Sequence, residues 1–336
     1  MRKDRKAEAG DRRTQPWRPL TFEQAIDITD VVRLRRSLRR RMIAMRVLTV
    51  VLGMAAVIVG ATPFALQWNT SRQLASQTRL VNRHVLGWPY PQAENRLKAA
   101  RAYNEKLAAS GQPILGEAAD PFSSTGGSSS ASGTEDSAAS EDTEYQSLLD
   151  TGDGVMGSVS IPKISVDLPI YHGTSEEALA NGSGHLYGTS LPVGGPSTHA
   201  VITGHRGMVS APMFTRLDEM HEGDYFYIDV MGEKLGYKVD GITVIEPDDT
   251  STLRVVPGED RVTLMTCTPY GVNTHRMLVS GHRVSIPYPA PNPSDVHDAR
   301  TIAIVAAVAT FLLGLLIWLP LAHRRKRMMR MRHARA

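Results

Sequence analysis

Arg261-Val-Thr-Leu-Met-Thr-Cys267 runs β-branched and apolar residues into a cysteine, and the Thr268-Pro-Tyr-Gly271 behind it is turn chemistry. The stretch predicts a strand that ends at Cys267, a rigid place from which a side chain can reach a groove. Cys267 is the only cysteine in 336 residues. Spacing alone leaves it open whether this is a buried structural thiol or a nucleophile.

A thiol nucleophile needs a proton partner and something to hold a developing oxyanion. Upstream, Thr203-Gly204-His205-Arg206-Gly207 ends another apolar run, with glycines on both sides of a histidine where an extended substrate can approach the backbone. Downstream, Arg276 opens the next strand among apolar residues, a costly place unless its guanidinium meets a carboxylate, a carbonyl or developing negative charge. His172, His185, His221, His275 and His282, taken singly, read as structural or solvated. Strands are expected over 155–161, 166–171, 199–203, 225–230, 234–246, 261–267 and 276–286, separated by Gly, Pro, Asn and Asp. Short helices are expected from a Thr174 to Glu177 capping box up to Asn181-Gly182, and over 211–220. Many strands with short connections over residues 145–287 predict a closed or nearly closed β-barrel.

The chain before the barrel changes character twice. Residues 123–144 are dominated by Ser, Gly, Ala, Asp and Glu with no large apolar side chain, the composition of a flexible loop. Residues 92–110 carry Ala93, Leu97, Ala100 and Leu107 near a helical period and stop at Gly111 and Pro113, a helix that a simple stalk would also explain. Further out lie two runs without a charge, 47–66 and 301–322, each long enough to cross about 30 Å of hydrocarbon. Arg35, Arg36, Arg39, Arg40, Arg41 and Arg46 precede the first, and Arg324, Arg325, Lys326, Arg327, Arg330, Arg332 and Arg335 follow the second. The net charge of +4 thus splits into +8 for residues 1–67, −12 for 68–299 and +8 for 300–336. Basic residues beside apolar runs set membrane orientation, which argues against a nucleic-acid partner. They predict cytoplasmic segments at 1–46 and 323–336, membrane helices at 47–66 and 301–322, and an extracellular portion at 67–144, 145–287 and 288–300. The first run is longer than the apolar core of a cleaved signal peptide, so a retained helix is expected. Glu246, Asp248 and Asp249 form an acidic turn without the spacing of a calcium loop, and neither a metal nor any other cofactor is expected.

Thr263-Leu-Met-Thr-Cys267 resembles the TLxTC signature of sortases, with Thr203-Gly204-His205 upstream and Arg276 downstream in the places of that family's histidine and arginine. The resemblance continues through Ile161-Pro-Lys-Ile164, Leu168-Pro-Ile-Tyr-His-Gly-Thr174, Gly184-His185-Leu186, Gly188-Thr-Ser-Leu-Pro-Val-Gly-Gly195 and Thr268-Pro-Tyr-Gly-Val-Asn-Thr-His275, covering essentially all of residues 145–287. Asp120-Pro121-Phe122 resembles the Asp-Pro-aromatic lid of class C sortases, the pilin-polymerising group, as does a hydrophobic C-terminal helix with a basic tail.

The resemblance implies a mainly β fold, an eight-stranded sortase barrel with short helices flanked by two transmembrane helices. It implies a cysteine transpeptidase that cleaves LPxTG-like sorting signals of pilins or surface proteins between Thr and Gly. Cys267 would be nucleophile, His205 acid and Arg276 oxyanion stabiliser, with Thr266, Thr203 and Gly204 supporting substrate or oxyanion. The thioester would pass to a lysine of an acceptor pilin. Two alternatives stay open at this level: an anchoring sortase that uses a cell-wall precursor amine, and an inactive membrane-bound pilin-binding module.

Overall fold

The computed structural model describes residues 21–22, 26–112, 137–152, 154–208, 211–287, 291, 293, 302–303, 305–314 and 317. Alternation of apolar and small residues builds eight strands: β1 Val155–Ile161, β2 Val166–His172, β3 Ser183–His185, β4 Thr198–Thr203, β5 Tyr225–Val230, β6 Glu233–Ile245, β7 Asp260–Thr268 and β8 His275–Val284. They close in the order β1-β2-β3-β4-β7-β8-β6-β5, with β5 returning to β1. Two neighbours run parallel, β2 with β3 and β4 with β7, and the remaining pairs are antiparallel. Successive side chains in a strand face opposite ways. One set, including Val159, Leu168, Ile202, Phe226, Ile228, Leu264 and Val279, joins the main core. On the other face of β4, β7 and β8, Val201, Met265 and Leu278 pack with Leu186, Ile245 and Leu253 as a second cluster.

The chain divides into two compact units, Met1–Thr62 and Pro63–Ala336. Helix α1, Thr29–Leu86, carries the apolar window expected of a membrane span. A shorter apolar helix covers Val305–Gly314; the rest of the expected second span lies outside the described residues. Helix α2, Gln92–Ser110, forms where its period predicts and ends on Gly111 in the left-handed conformation. It is more than a stalk. Leu97 and Ala100 are buried, and Asn104 grips Leu191 like a peptide group, Nδ2 donating to its carbonyl at 2.9 Å and Oδ1 accepting from its N–H at 2.8 Å.

Several local expectations change. Helices α3, Ser137–Glu141, and α4, Thr143–Ser147, occupy the end of the stretch expected to be a flexible loop; Ala139 and Tyr145 are buried, anchors too few for composition to signal. The cap of helix α5, Glu176–Asn181, is Ser175, whose side chain accepts from Ala178 N, rather than Thr174. Over 211–220 the only described helix is a 3-10 turn, Leu217–Glu219, because Met213 takes a positive φ of 40° and Phe214 N donates to the His205 carbonyl rather than within a helix. Strand β3 was not expected; three residues holding a Gly and a His carry no period.

Candidate active site

Register pairs two of the three residues singled out by sequence and brings the third to the same end of the sheet. In the antiparallel pair β7·β8, Cys267 stands directly opposite Arg276, and β8 in turn sets Arg276 opposite Ile245 of β6. The parallel pair β4·β7 ends at Thr203 opposite Met265, so His205 follows two residues beyond the end of β4, at the same end of the sheet as Cys267. Alternation then puts Cys267 and Arg276 on the face of Met265 and Leu278, outside the main core. The Met265 carbonyl accepts from Gly204 N at 3.0 Å, and the Cys267 carbonyl accepts from Arg206 Nη1 at 3.4 Å. Both carbonyls therefore turn toward β4, which makes Cys267 and Arg276 a narrow, non-hydrogen-bonded pair of the β7·β8 ladder, with Cα atoms about 4.5 Å apart and side chains at their closest.

The surroundings are tight. Cys267 is buried, and Leu179 of α5 packs on it. Arg276 is 2% exposed, and its Nη1 donates to the carbonyls of Asn273 and His275 at 3.0 and 2.9 Å. Those bonds satisfy the sequence argument that a strand arginine must find oxygen. His205 is half-buried, and burial pushes its pKa below the ordinary value while the Glu176 carboxylate on α5 opposes that shift. Its carbonyl accepts from Phe214 N at 3.0 Å.

The remaining candidates have different places. Thr266 is buried, and its hydroxyl donates to the Gly204 carbonyl at 2.7 Å, clamping the residue before His205 to β7. Gly204 lies against the Phe214 ring, where a Cβ would come within 2.7 Å of Cδ2. Thr203 is fully buried one row away, and its hydroxyl has no hydrogen-bond partner among the described residues. Asp120, Pro121 and Phe122 lie outside the described residues. Sequence reasoning passed over Arg206. Its side chain is 7% exposed, its Nη2 meets Asp218 at 2.6 Å and its guanidinium carbon lies 5.9 Å from the Tyr270 ring centre. The signal was there: a charged residue directly after the histidine, between two glycines.

A thiol and a buried guanidinium paired across a rigid sheet, with an imidazole just past the end of the neighbouring strand, can form an acyl-thioester, protonate its leaving group and hold an oxyanion. Comparison with known proteins leads the same way. Residues 159–284 match the sortase domain. Sortase D of Bacillus subtilis is 29% identical over 158 residues, which are 46% of this chain and 76% of that relative. Among solved structures, sortase C1 of GBS Pilus Island 1 is 40% identical with a TM-score of 0.55, covering 66% of this chain and 98% of that one. Sortase C-1 from Streptococcus pneumoniae is 41% identical with a TM-score of 0.53, covering 63% and 100%.

Proposed function

This chain belongs to the sortase family, with class C sortases among its structural matches, and on that premise we propose that it is a membrane-anchored cysteine transpeptidase that joins pilin subunits. The observation that carries the proposal is Cys267 directly opposite Arg276 on β7 and β8, with His205 two residues past the end of β4, the strand beside β7. The Cys267 thiolate attacks the carbonyl carbon of the Thr–Gly bond in an LPxTG-like sorting signal, and a C–S bond forms. His205 gives its proton to the departing glycine nitrogen as the C–N bond breaks. Arg276 lies on the same face and supplies N–H groups to the oxyanion in a site that excludes water. The amine of a pilin lysine then attacks the thioester, returns a proton to His205 and releases Cys267, leaving an isopeptide bond.

Burial of His205 works against the imidazolium that the first step uses, and Glu176 works for it. Burial is the larger of the two effects, so Glu176 offsets only part of the cost of charging His205. The apolar window of α1 supports a membrane anchor, and the arginines around both apolar runs support cytoplasmic ends with the barrel outside.

The test is incubation of the full chain in detergent micelles with a pilin bearing a sorting signal and a second pilin as acceptor. Mass spectrometry should find a Thr-to-lysine isopeptide with the wild type and neither isopeptide nor thioester with Cys267→Ala. Arg276→Lys keeps the charge without the planar fork and should lose on the order of 10²-fold in kcat. Polymer made by Cys267→Ala overturns the mechanism. Transfer only to a cell-wall precursor amine makes the enzyme an anchoring sortase.

A further inference from the structure

The strand that carries the histidine stops two residues before it, so something other than the sheet must fix the height of His205 against Cys267. Strand β4 ends at Thr203. Had the parallel ladder continued, the main-chain N–H of Arg206 would have met the carbonyl of Cys267. The Arg206 side chain meets that carbonyl instead, through Nη1 at 3.4 Å, and the same nitrogen donates to Thr268 Oγ1 at 3.1 Å. On the other side of His205, the Gly204 carbonyl takes the Thr266 hydroxyl at 2.7 Å. His205 thus sits between two residues that are each tied to β7 by a side chain standing in for a rung.

The arrangement around Arg206 is specific and costly. Its Nη2 is held by Asp218 from the 3-10 turn Leu217–Glu219, and Tyr270 of the β7–β8 turn flanks the guanidinium. The side chain is 7% exposed while Asp218 is 46% exposed, and Arg206 Nε has no hydrogen-bond partner among the described residues. A buried cation with an unpaired N–H is a poor choice for stability alone. Fork geometry explains its presence: one rigid plane carries donors on separate nitrogens to a carbonyl and a hydroxyl on one side and a carboxylate on the other, a span that the single nitrogen of an ammonium lacks.

We propose that Arg206 is a positioning residue for transpeptidation, a side-chain rung that sets His205 opposite Cys267. The inference rests on the roles proposed for those two residues. It acts on chemistry through alignment, since a displacement of about 1 Å between reacting groups costs about 10²-fold.

Two measurements on the full chain in detergent micelles test it. The first is the rate at which iodoacetamide alkylates Cys267 from about pH 5 to about pH 9, which needs no sorting substrate and reads the thiolate kept by a neighbouring imidazolium. The second is turnover of a sorting-signal peptide. Arg206→Ala should lower kcat about 10²-fold with KM within about twofold, and should move the alkylation midpoint up toward that of a free thiol, about 8.5. Arg206→Lys should fall between this variant and the wild type. If Arg206→Ala does not fold, Arg206→Lys and Thr268→Val carry the test, each lowering kcat more than it raises KM. An unchanged alkylation profile and kcat in the Ala variant overturns the proposal, as does full recovery by Lys, which would make charge alone sufficient. A rise in KM without loss of kcat reassigns Arg206 to substrate binding. A wild type that is alkylated at low pH but turns over no sorting peptide refutes the substrate assignment, and the alkylation profiles then decide the positioning role by themselves.

Discussion

Gly204→Ala is the smallest change that tests whether the geometry next to His205 matters. The added Cβ would lie 2.7, 2.8 and 3.1 Å from Cδ2, Cγ and Cε2 of Phe214, where ordinary contact begins at 3.4 Å. Something must therefore open by about 0.7 Å or more. The Phe214 ring is fully buried in the main core, so it has little room to retreat, and the displacement falls mainly on the end of β4. Overpacking on this scale costs ~1 to 3 kcal/mol, which lowers Tm by roughly 2 to 10 °C for a domain of this size. The same shift moves His205, whose carbonyl is bonded to Phe214 N, and should cost about 10²-fold in kcat with little change in KM. Circular dichroism melting and peptide turnover measure the two effects. Phe214→Leu makes space, so the double variant Gly204→Ala with Phe214→Leu should be less destabilised than the two single losses added together. A Gly204→Ala variant that melts and turns over like the wild type would refute the reasoning, and so would strict additivity in the double variant.

Asn104→Ala strips both buried partners from the Leu191 peptide groups and should destabilise the fold by ~2 to 4 kcal/mol, read as a shift in the urea midpoint with activity per folded molecule unchanged. Glu176→Gln removes the carboxylate that favours the His205 imidazolium, so the alkaline limb of the pH-rate profile should move to lower pH, an effect that about 0.5 M salt should erase. His185 is fully buried, and burial lowers its pKa from 6.5 to about 4. The unfolded chain binds that proton more readily, so this contribution is complete above about pH 6.5 and falls by ~3 kcal/mol toward pH 4. Asp167 opposes it: burial raises its pKa from 3.8 to about 6, so its contribution is complete below about pH 3.8 and is lost as pH rises through 6. Asp167→Asn should remove the offset and make the urea midpoint drop more steeply between pH 6.5 and 4; an unchanged slope would contradict the opposing titrations.

The strands that carry the site were legible because their signals are local. Arg261 to Cys267 alternates and ends in turn residues, and its observed partner β8 starts within one residue of the position read from Arg276. What escaped reading depends on partners distant in sequence. Strand β3 exists only because β2 and β4 flank it, with Gly184 small enough to lie under Gly173 and Thr174. The Ser175 cap was missed by one residue because Thr174 and Ser175 are both competent, and tertiary packing buries the Thr174 hydroxyl. Arg206 looked like any basic residue in a glycine-rich turn. Its importance lies in a carbonyl 61 residues away, which no window along the chain contains.

The parallel pairing of β4 with β7 has a consequence for when the thiol acquires its reactivity. Their register spans more than sixty residues, and the clamp from Thr266 to Gly204 bridges 62. Long loops must be closed before such contacts return any free energy, so these pairings form late. In a nascent or partly folded chain, Cys267 is then an ordinary thiol, away from His205, Arg206 and Leu179 of α5. On the proposed mechanism, closure of the sheet is what assembles the site. Until the β4·β7 seam closes, the thiol proposed as nucleophile lacks these neighbours, and local opening of the seam would separate them again.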